Sequence, residues 1–436
     1  MDFTKDNVNQ IYRKYLVPTL GSALAMSIYS FVDTIAVGQY AGPAGSAALA
    51  VINPVYILMA VIAFLCSTGG SVRYGNALGE GKKEKALAYF TVSIGLCLVL
   101  TCTAWLIFSL FLPQIFTFFG ADKEVLPVAM EYGVWIIRFF PVIVIPDLLA
   151  PFIRMDKDPK RAMAAVITGG CINMFLDWFL VFPVNMGVKG AALATVIGTI
   201  VQCLIMLSHF FTKENHLHFV KPYKILSAVR NIITTGAPSS LLDLGNVILV
   251  ICMNKQMLLW GGPSALGIYG VINTISILCQ ALFAGVGQTI QPSVSVNHGA
   301  GKENRVREFY HLGVKTVFIM GIFFTVTGEL FPDTIIHIFM KTTPEVLSMA
   351  PHIMRLYFLC FPFMGYCVLS ALFLQSVLQQ RVSAFLALMR SVILPLCLLY
   401  TLPLLLKADG VYITMPVSDC LMALFTAVYL KKYQFQ

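Results

Sequence analysis

Long uninterrupted stretches of hydrophobic residues alternate with short polar segments along the whole chain. A run of about 18 or more apolar residues is long enough to cross a bilayer as an α-helix. By this criterion the pattern predicts twelve membrane-spanning helices, over residues 16–39, 49–72, 88–111, 132–153, 163–183, 190–211, 232–259, 265–292, 311–331, 347–374, 382–405 and 411–430. Transmembrane strands would instead show segments of about ten residues with alternating polarity. The predicted class is therefore an all-α polytopic membrane protein.

The composition agrees with a membrane location. Of the 436 residues, 58% are hydrophobic and 12% are charged, and the mean hydropathy is +0.80. Soluble domains carry about 25% charged residues, and a soluble fold of this size could not bury so much apolar surface. The composition thus argues against a soluble enzyme or a nucleic-acid-binding protein. The 11 Cys and 7 His show no metal-ligand spacing, so no resident cofactor is expected.

The net charge of +9 would suggest a nucleic-acid partner in a soluble protein, but here it indicates topology. When the amino terminus and every second loop are placed on one side, that side holds 21 of the 30 Lys and Arg residues. The opposite side holds four. Because loops rich in Lys and Arg stay in the cytoplasm, both termini are predicted to be cytoplasmic, and no nucleic-acid partner is expected.

Residues recur at a constant offset of 220 positions. The matching pairs include Pro18 and Pro238, Gly42 and Gly262, Asn53 and Asn273, Gly79 and Gly299, and Arg161 and Arg381. This offset predicts a duplicated six-helix unit, residues 1–220 and 221–436, with the polar and basic stretch 212–231 as a linker. Two such bundles would be related by a pseudo-twofold axis along the membrane normal, with an alternating-access cavity between them.

Polar residues that occur in only one half are the better functional candidates, since scaffold residues would recur in both. Asp33 aligns with Met253, Asn173 with Ile393, and Asp177 with Cys397. Ionisable groups inside a bilayer are costly and usually functional, and Asn173 and Asp177 share one helix face because they are four residues apart.

These side chains allow three interpretations. Their oxygens suit a hard cation such as Na⁺. Alternatively, a carboxylate in a low-dielectric surrounding can carry a proton. The third interpretation is a salt bridge or hydrogen bond between helices with no role in transport.

A second set of residues could bind substrate. Asp243 and Asn246 are three residues apart and Asn273 and Gln280 are seven apart, so each pair could line the second half of the cavity. A scaffold role is the alternative for Asn273, which recurs as Asn53. Met26, Tyr29, Met253 and Met257 could form an adaptable apolar wall. The candidate substrate-binding residues are Met26, Tyr29, Ser239, Asp243, Asn246, Asn273 and Gln280. Arg390 and Asp419 are expected to form a structural pair across the last two helices.

Several short motifs together resemble the multidrug and toxic compound extrusion (MATE) transporter family, specifically its DinF-like branch and MepA-type members. The motifs in the first half are Val17-Pro18, Val32-Asp33-Thr34, Pro159-Lys160, the stretch 173–177 and the stretch 187–195. Those in the second half are Gly236-Ala237-Pro238, Gln291-Pro292, the stretch 297–301 and Arg390. The resemblance covers essentially the whole chain, and the joint pattern is specific although each piece alone is not.

The resemblance implies twelve helices in two six-helix bundles and drug export driven by Na⁺ or H⁺. We also expect a bacterial plasma-membrane location and function as a monomer. The resemblance also implies a cation site at Asp33, Asn173, Asp177 and Thr195. Pro18 matches the family's helix-one proline, which is linked to helix bending. An ordinary place in the first turn of the helix is the alternative for this proline.

Other classes of function remain open from the sequence. A flippase for a lipid-linked saccharide would need several cationic residues lining the cavity, and few are available. An intramembrane enzyme would need a nucleophile, a metal or a paired-Asp motif, and no known aspartyl motif surrounds Asp33 or Asp177. A channel would lack saturable exchange that depends on an ion gradient.

Overall fold

The computed structural model describes residues 2–222, 224–340 and 343–434, except for the side chains of residues 43, 46, 433 and 434. The described residues form helices and contain no strand. The helices of the first half of the chain are α1 (Val8–Gly79), α2 (Lys83–Phe118), α3 (Val125–Arg138), α4 (Phe140–Met155), α5 (Pro159–Val181) and α6 (Gly187–Leu207), followed by a 3₁₀ helix (Ser208–Phe211). Those of the second half are α7 (Ile225–Gly299), α8 (Glu303–Leu330), α9 (Pro332–Phe339), α10 (Pro344–Phe358), α11 (Phe361–Ser376), α12 (Gln380–Leu388), a π-helix (Met389–Ile393), α13 (Leu394–Leu406), α14 (Ala408–Tyr412) and α15 (Thr414–Gln434).

Two of these helices are each long enough to cross a membrane twice. α1 has 72 residues and α7 has 75, which corresponds to about 110 Å of helix against a hydrocarbon core of about 30 Å. Each is broken once, α1 at Gly42 (φ 60°, ψ −142°) and α7 at Gly262 (φ 73°, ψ −173°). Glycine is needed at both breaks because this backbone conformation is essentially closed to residues with a Cβ. The two glycines are partners in the repeat of 220 residues.

The remaining spans complete the predicted twelve. In the first half, α2, α5 and α6 each cross once, and α3 with α4 forms one span that bends by 58°. Pro141 lies just after this bend, where its missing N–H and its ring disrupt helical hydrogen bonding. In the second half, α8, the run from α10 to α11 and the run from α12 to α13 are long and apolar enough to cross. α15, with 21 residues, has the length of a span.

Pro18 does not lie in the first turn of its helix, which was one of the two interpretations of this proline. α1 begins at Val8, because the Asn7 side chain accepts hydrogen bonds from the backbone N–H groups of Asn9 and Gln10. Pro18 therefore lies inside the helix, and its placement in the first turn is wrong. The polar residues before Tyr15 concealed the true start of the helix.

The described residues pack into two compact units. One comprises Met1–Ser240 with Ser295–Lys302, and the other comprises Leu241–Val294 with Glu303–Gln436. The predicted halves, 1–220 and 221–436, are defined by sequence offset rather than by packing and stay a prediction.

Within the first unit, the end of α1 meets the end of α7 at two glycines. A Cβ added at Gly79 would collide with the backbone carbonyl of Val296, and one added at Gly299 would collide with that of Asn76. The offset of 220 relates Gly79 to Gly299 and residue 76 to residue 296. The two repeats thus contact each other through equivalent glycines.

Candidate functional site

Asp33 lies half-buried in α1 and is held by a chain of two tyrosines. The Tyr132 hydroxyl of α3 donates to Asp33 Oδ2 at 3.2 Å, and the Tyr56 and Tyr132 hydroxyl oxygens lie 3.1 Å apart. The Thr195 side chain of α6 lies beside Asp33. Three helices therefore fix the orientation of this carboxylate.

Asn173 and Asp177 lie one turn apart on α5 and are 4% and 0% exposed. The Asn173 amide nitrogen donates to the Thr195 hydroxyl at 3.5 Å. α5 and α6 pack closely here, because a Cβ at Gly198 would lie 2.9 Å from the Asn173 Cβ. Small residues allow transmembrane helices to approach in this way, and the approach places the Asn173 side chain against α6.

The four residues predicted for a cation site thus lie together in one unit. Asp33 and Asp177 are close enough for their charges to interact. Four oxygens of this group of residues are buried and receive no hydrogen bond from the described residues: Asp33 Oδ1, Asn173 Oδ1 and both carboxylate oxygens of Asp177. Buried polar atoms without a partner are costly. A cation beside these oxygens would reduce that cost and the repulsion between the carboxylates, and a proton on one carboxylate would remove the repulsion alone.

The donor set fits a hard cation. Carboxylate, amide and hydroxyl oxygens are the ligands that hard cations take, whereas Zn²⁺ prefers nitrogen and sulfur. Sequence reasoning missed Tyr132 and Tyr56, which orient Asp33. No spacing or motif distinguishes them among 17 tyrosines.

The substrate-binding candidates fall in both units. In the first unit, Met26 is 44% exposed, and half-buried Tyr29 packs against Gly170 of α5. Ser239 is also half-buried there. In the second unit, four half-buried candidates lie along α7, and they are Asp243, Asn246, Asn273 and Gln280. Met253 and Met257 are fully buried within the second unit, so of the predicted apolar wall only Met26 and Tyr29 present accessible surface.

The predicted pair of Arg390 and Asp419 is confirmed. Arg390 Nε donates to Asp419 Oδ1 at 2.8 Å, and the two side chains are 4% and 0% exposed. Arg390 belongs to the π-helix Met389–Ile393, whose extra residue in the turn changes the direction of its side chains. This buried ion pair belongs to the second unit only.

Comparison with known proteins points in one direction. A family model described as MatE matches residues 18–179 and 238–401, more than half of the chain, in two ranges that begin 220 residues apart. An FAD transporter of Shewanella oneidensis is 21% identical over 435 residues, which cover 96% of this chain and 93% of that protein. The multidrug export protein MepA of Staphylococcus saprophyticus is 22% identical, with 98% of this chain and 95% of that protein covered.

A solved structure shares the fold. It is described as the outward-facing conformation of a multidrug resistance MATE family transporter and superimposes with a TM-score of 0.92 at 20% identity. The match covers 99% of this chain and 97% of the other. At this identity the likeness establishes the fold alone.

Proposed function

The chain belongs to the MatE family, and we propose that it is a multidrug efflux transporter that exchanges Na⁺ or H⁺ for lipophilic, cationic drugs or toxic compounds. The observation that carries this proposal is the group of buried, unsatisfied oxygens on Asp33, Asn173 and Asp177. Most buried polar atoms are satisfied by protein hydrogen bonds, whereas here four oxygens without a partner among the described residues gather on three neighbouring side chains. The oxygens here instead suit a cation that binds and leaves during each cycle.

In the proposed cycle, a cation from outside binds to Asp33 and Asp177, and a lipophilic compound leaves to the outside. The cation changes the balance between inward-open and outward-open states only by the difference between its affinities for the two states. Tyr132 and Thr195 keep the Asp33 carboxylate oriented for the incoming cation. Asn173 adds a neutral oxygen that can join in binding without adding charge.

The proposal includes location and partners. We place the protein in a bacterial plasma membrane with both termini in the cytoplasm, acting as a monomer and requiring no resident cofactor. Its partners are the lipid bilayer and small-molecule drugs. One relative is named as an FAD transporter, so FAD belongs in the panel of test compounds beside cationic dyes.

The experiment is drug accumulation in cells that express the wild type or Asp33→Asn. We expect Asp33→Asn to abolish export while it reaches the membrane at the wild-type level, because an amide removes the charge that a cation needs. Asp409→Asn is the matched control, since Asp409 is an exposed carboxylate in the second unit. Unchanged resistance with Asp33→Asn would overturn the proposal.

A further inference from the structure

The linker after α6 is bound to the first unit rather than hanging free. The backbone N–H of Val220 donates to Thr91 Oγ1 of α2 at 3.1 Å, and the rings of Phe219 and Phe90 lie 5.5 Å apart. Leu217 is 1% exposed. These contacts hold the segment against the end of α2 that is predicted to face the cytoplasm.

Two aspartates and two histidines join this linker to the ends of α4, α5 and α6, and we call them the Asp–His clasp: Asp156, Asp158, His209 and His216. His209 Nε2 lies 2.8 Å from Asp156 Oδ2, and His209 Nδ1 lies 3.2 Å from Asp158 Oδ2. His216 Nδ1 lies 2.9 Å from Asp156 Oδ1, and its backbone N–H donates to Asp156 Oδ2 at 2.8 Å. The His209 side chain is completely buried.

Other charged and titratable groups surround the clasp. Arg161 Nε donates to Asp158 Oδ2 at 2.6 Å, and another Arg161 nitrogen donates to Ser208 Oγ at 2.5 Å. Behind Asp156 lie Tyr15 and Tyr74 of α1 and Arg154 of α4, and the Tyr15 hydroxyl donates to the Arg154 carbonyl. Burial raises the pKa of the Asp158 carboxyl, but hydrogen bonds from Arg161 and His209 outweigh burial and hold that pKa below its usual value. Asp158 is therefore a carboxylate at neutral pH.

The geometry around His209 requires a charged imidazole. Both ring nitrogens face carboxylate oxygens, which only accept hydrogen bonds, so both nitrogens must donate. A neutral ring has a single N–H and would direct the lone pair of its other nitrogen at one carboxylate. When His209 loses its proton, one side of the clasp therefore changes from attraction to repulsion.

The clasp joins the helices that carry the candidate cation site. Asp158 is the N-cap of α5, and His209 follows the end of α6. Asn173 lies fifteen residues after Asp158, and Thr195 lies fourteen residues before His209. Both are thus about 22 Å along their helices from the clasp. Because helices are stiff and α5 and α6 pack closely, a shift at the clasp moves the site oxygens relative to each other.

We propose that His209 is a positioning residue whose protonated form sets the register of α5 and α6, so that transport depends on the pH at the face predicted to be cytoplasmic. This inference rests on the proposed function. Protonated His209 holds the two helices in the arrangement that supports exchange. Loss of the proton loosens the clasp and slows exchange, so transport falls as the pH at that face rises.

The test measures cation-driven transport in proteoliposomes while the pH at the clasp face changes from about 6.5, the ordinary pKa of an imidazole, to about 8.5. His209→Gln mimics the neutral ring. We expect its rate to be about tenfold or more below wild type at the lower pH, the loss of one charged hydrogen bond, and to equal wild type at the higher pH. His352→Gln is the control, because His352 also pairs with an aspartate but is exposed.

Asp158→Asn is the second variant. Asn caps a helix as well as Asp does, and it removes the carboxylate charge that faces His209 Nδ1, at the expense of the hydrogen bond from Arg161 Nε. We expect the transport rate of this variant not to decline as the pH rises. This variant therefore tests the inference even if His209→Gln does not fold. A wild-type rate independent of this pH, or a ratio of wild type to His209→Gln that stays constant across the range, would overturn the inference. A wild type that shows no cation-driven transport would instead overturn the proposed function.

Discussion

At the scale of single residues, Asn173 is the side chain that distinguishes Na⁺ from H⁺. Its amide oxygen is buried without a hydrogen bond from the described residues, and an amide oxygen does not take up a proton at neutral pH. A cation with several oxygen ligands explains this atom better than a proton on a carboxylate does. The Asn173 oxygen is therefore the atom at which Na⁺ coupling and H⁺ coupling predict different results.

We predict that Asn173→Leu raises the Na⁺ concentration for half-maximal transport by about tenfold, the effect of losing one favourable oxygen contact. Gln256→Leu, which replaces a buried amide in the second unit, should leave that concentration unchanged. Rates measured over a series of Na⁺ concentrations at constant pH give the comparison. An unchanged Na⁺ dependence in Asn173→Leu would show that the amide is not a ligand.

The sequence identifies candidate site residues where the two repeats have different residues at equivalent positions. Asp33, Asn173 and Asp177 were found because the other half has apolar residues or cysteine at the equivalent positions. Thr195 came only from the family resemblance. Tyr132 and His209 were not found, because their roles depend on which distant side chain they meet, and sequence spacing does not encode that contact.

At the scale of helices, the buried pair of Arg390 and Asp419 ties the π-helix to α15. Breaking such a pair leaves an uncompensated charge in an apolar surrounding, at a cost of about 3 to 5 kcal/mol, whereas replacing both charges with apolar groups is often neutral. We predict that Arg390→Met lowers the Tm in detergent strongly and that adding Asp419→Leu restores most of the loss. A double variant as unstable as the single one would show that the pair stabilises by more than charge compensation.

The crossing of α1 and α7 at equivalent glycines gives a second prediction for the helices. Gly79→Ala places a methyl group against the Val296 carbonyl, so the helices must separate, and we expect a loss of about 1 to 3 kcal/mol, the usual cost of overpacking. Gly95→Ala is the control, because Gly95 lies in α2 with nothing near its added Cβ. Alanine should be neutral or slightly stabilising there. Equal Tm values for the two variants would contradict the close crossing.

The helices themselves were predictable, but their interruptions were not. Runs of apolar residues fixed the number of spans because a bilayer demands length and apolarity. The bend between α3 and α4 and the π-helix at Arg390 depend on local competition between backbone hydrogen bonds and tertiary contacts. The pattern of hydrophobic residues does not predict the outcome of that competition.

At the scale of the whole molecule, the sequence predicts the fold through its duplication and its charge distribution. The constant offset of 220 residues accounts for the equivalent breaks at Gly42 and Gly262 and for the equivalent glycines at the crossing of α1 and α7. The positive surplus indicates topology, which leaves the few acids inside the membrane as the functional candidates. Substrate identity is not recoverable in this way, because apolar pocket walls are chemically alike and adaptable.

The most direct test of cation-coupled export is transport in proteoliposomes with independently imposed Na⁺ and pH gradients. We predict that a cation gradient alone drives a cationic dye against its own gradient in the wild type, and that Asp33→Asn and Asp177→Asn abolish this accumulation while both variants remain folded. Accumulation that is equal with and without a cation gradient, or that is unaffected by both substitutions, would contradict the account.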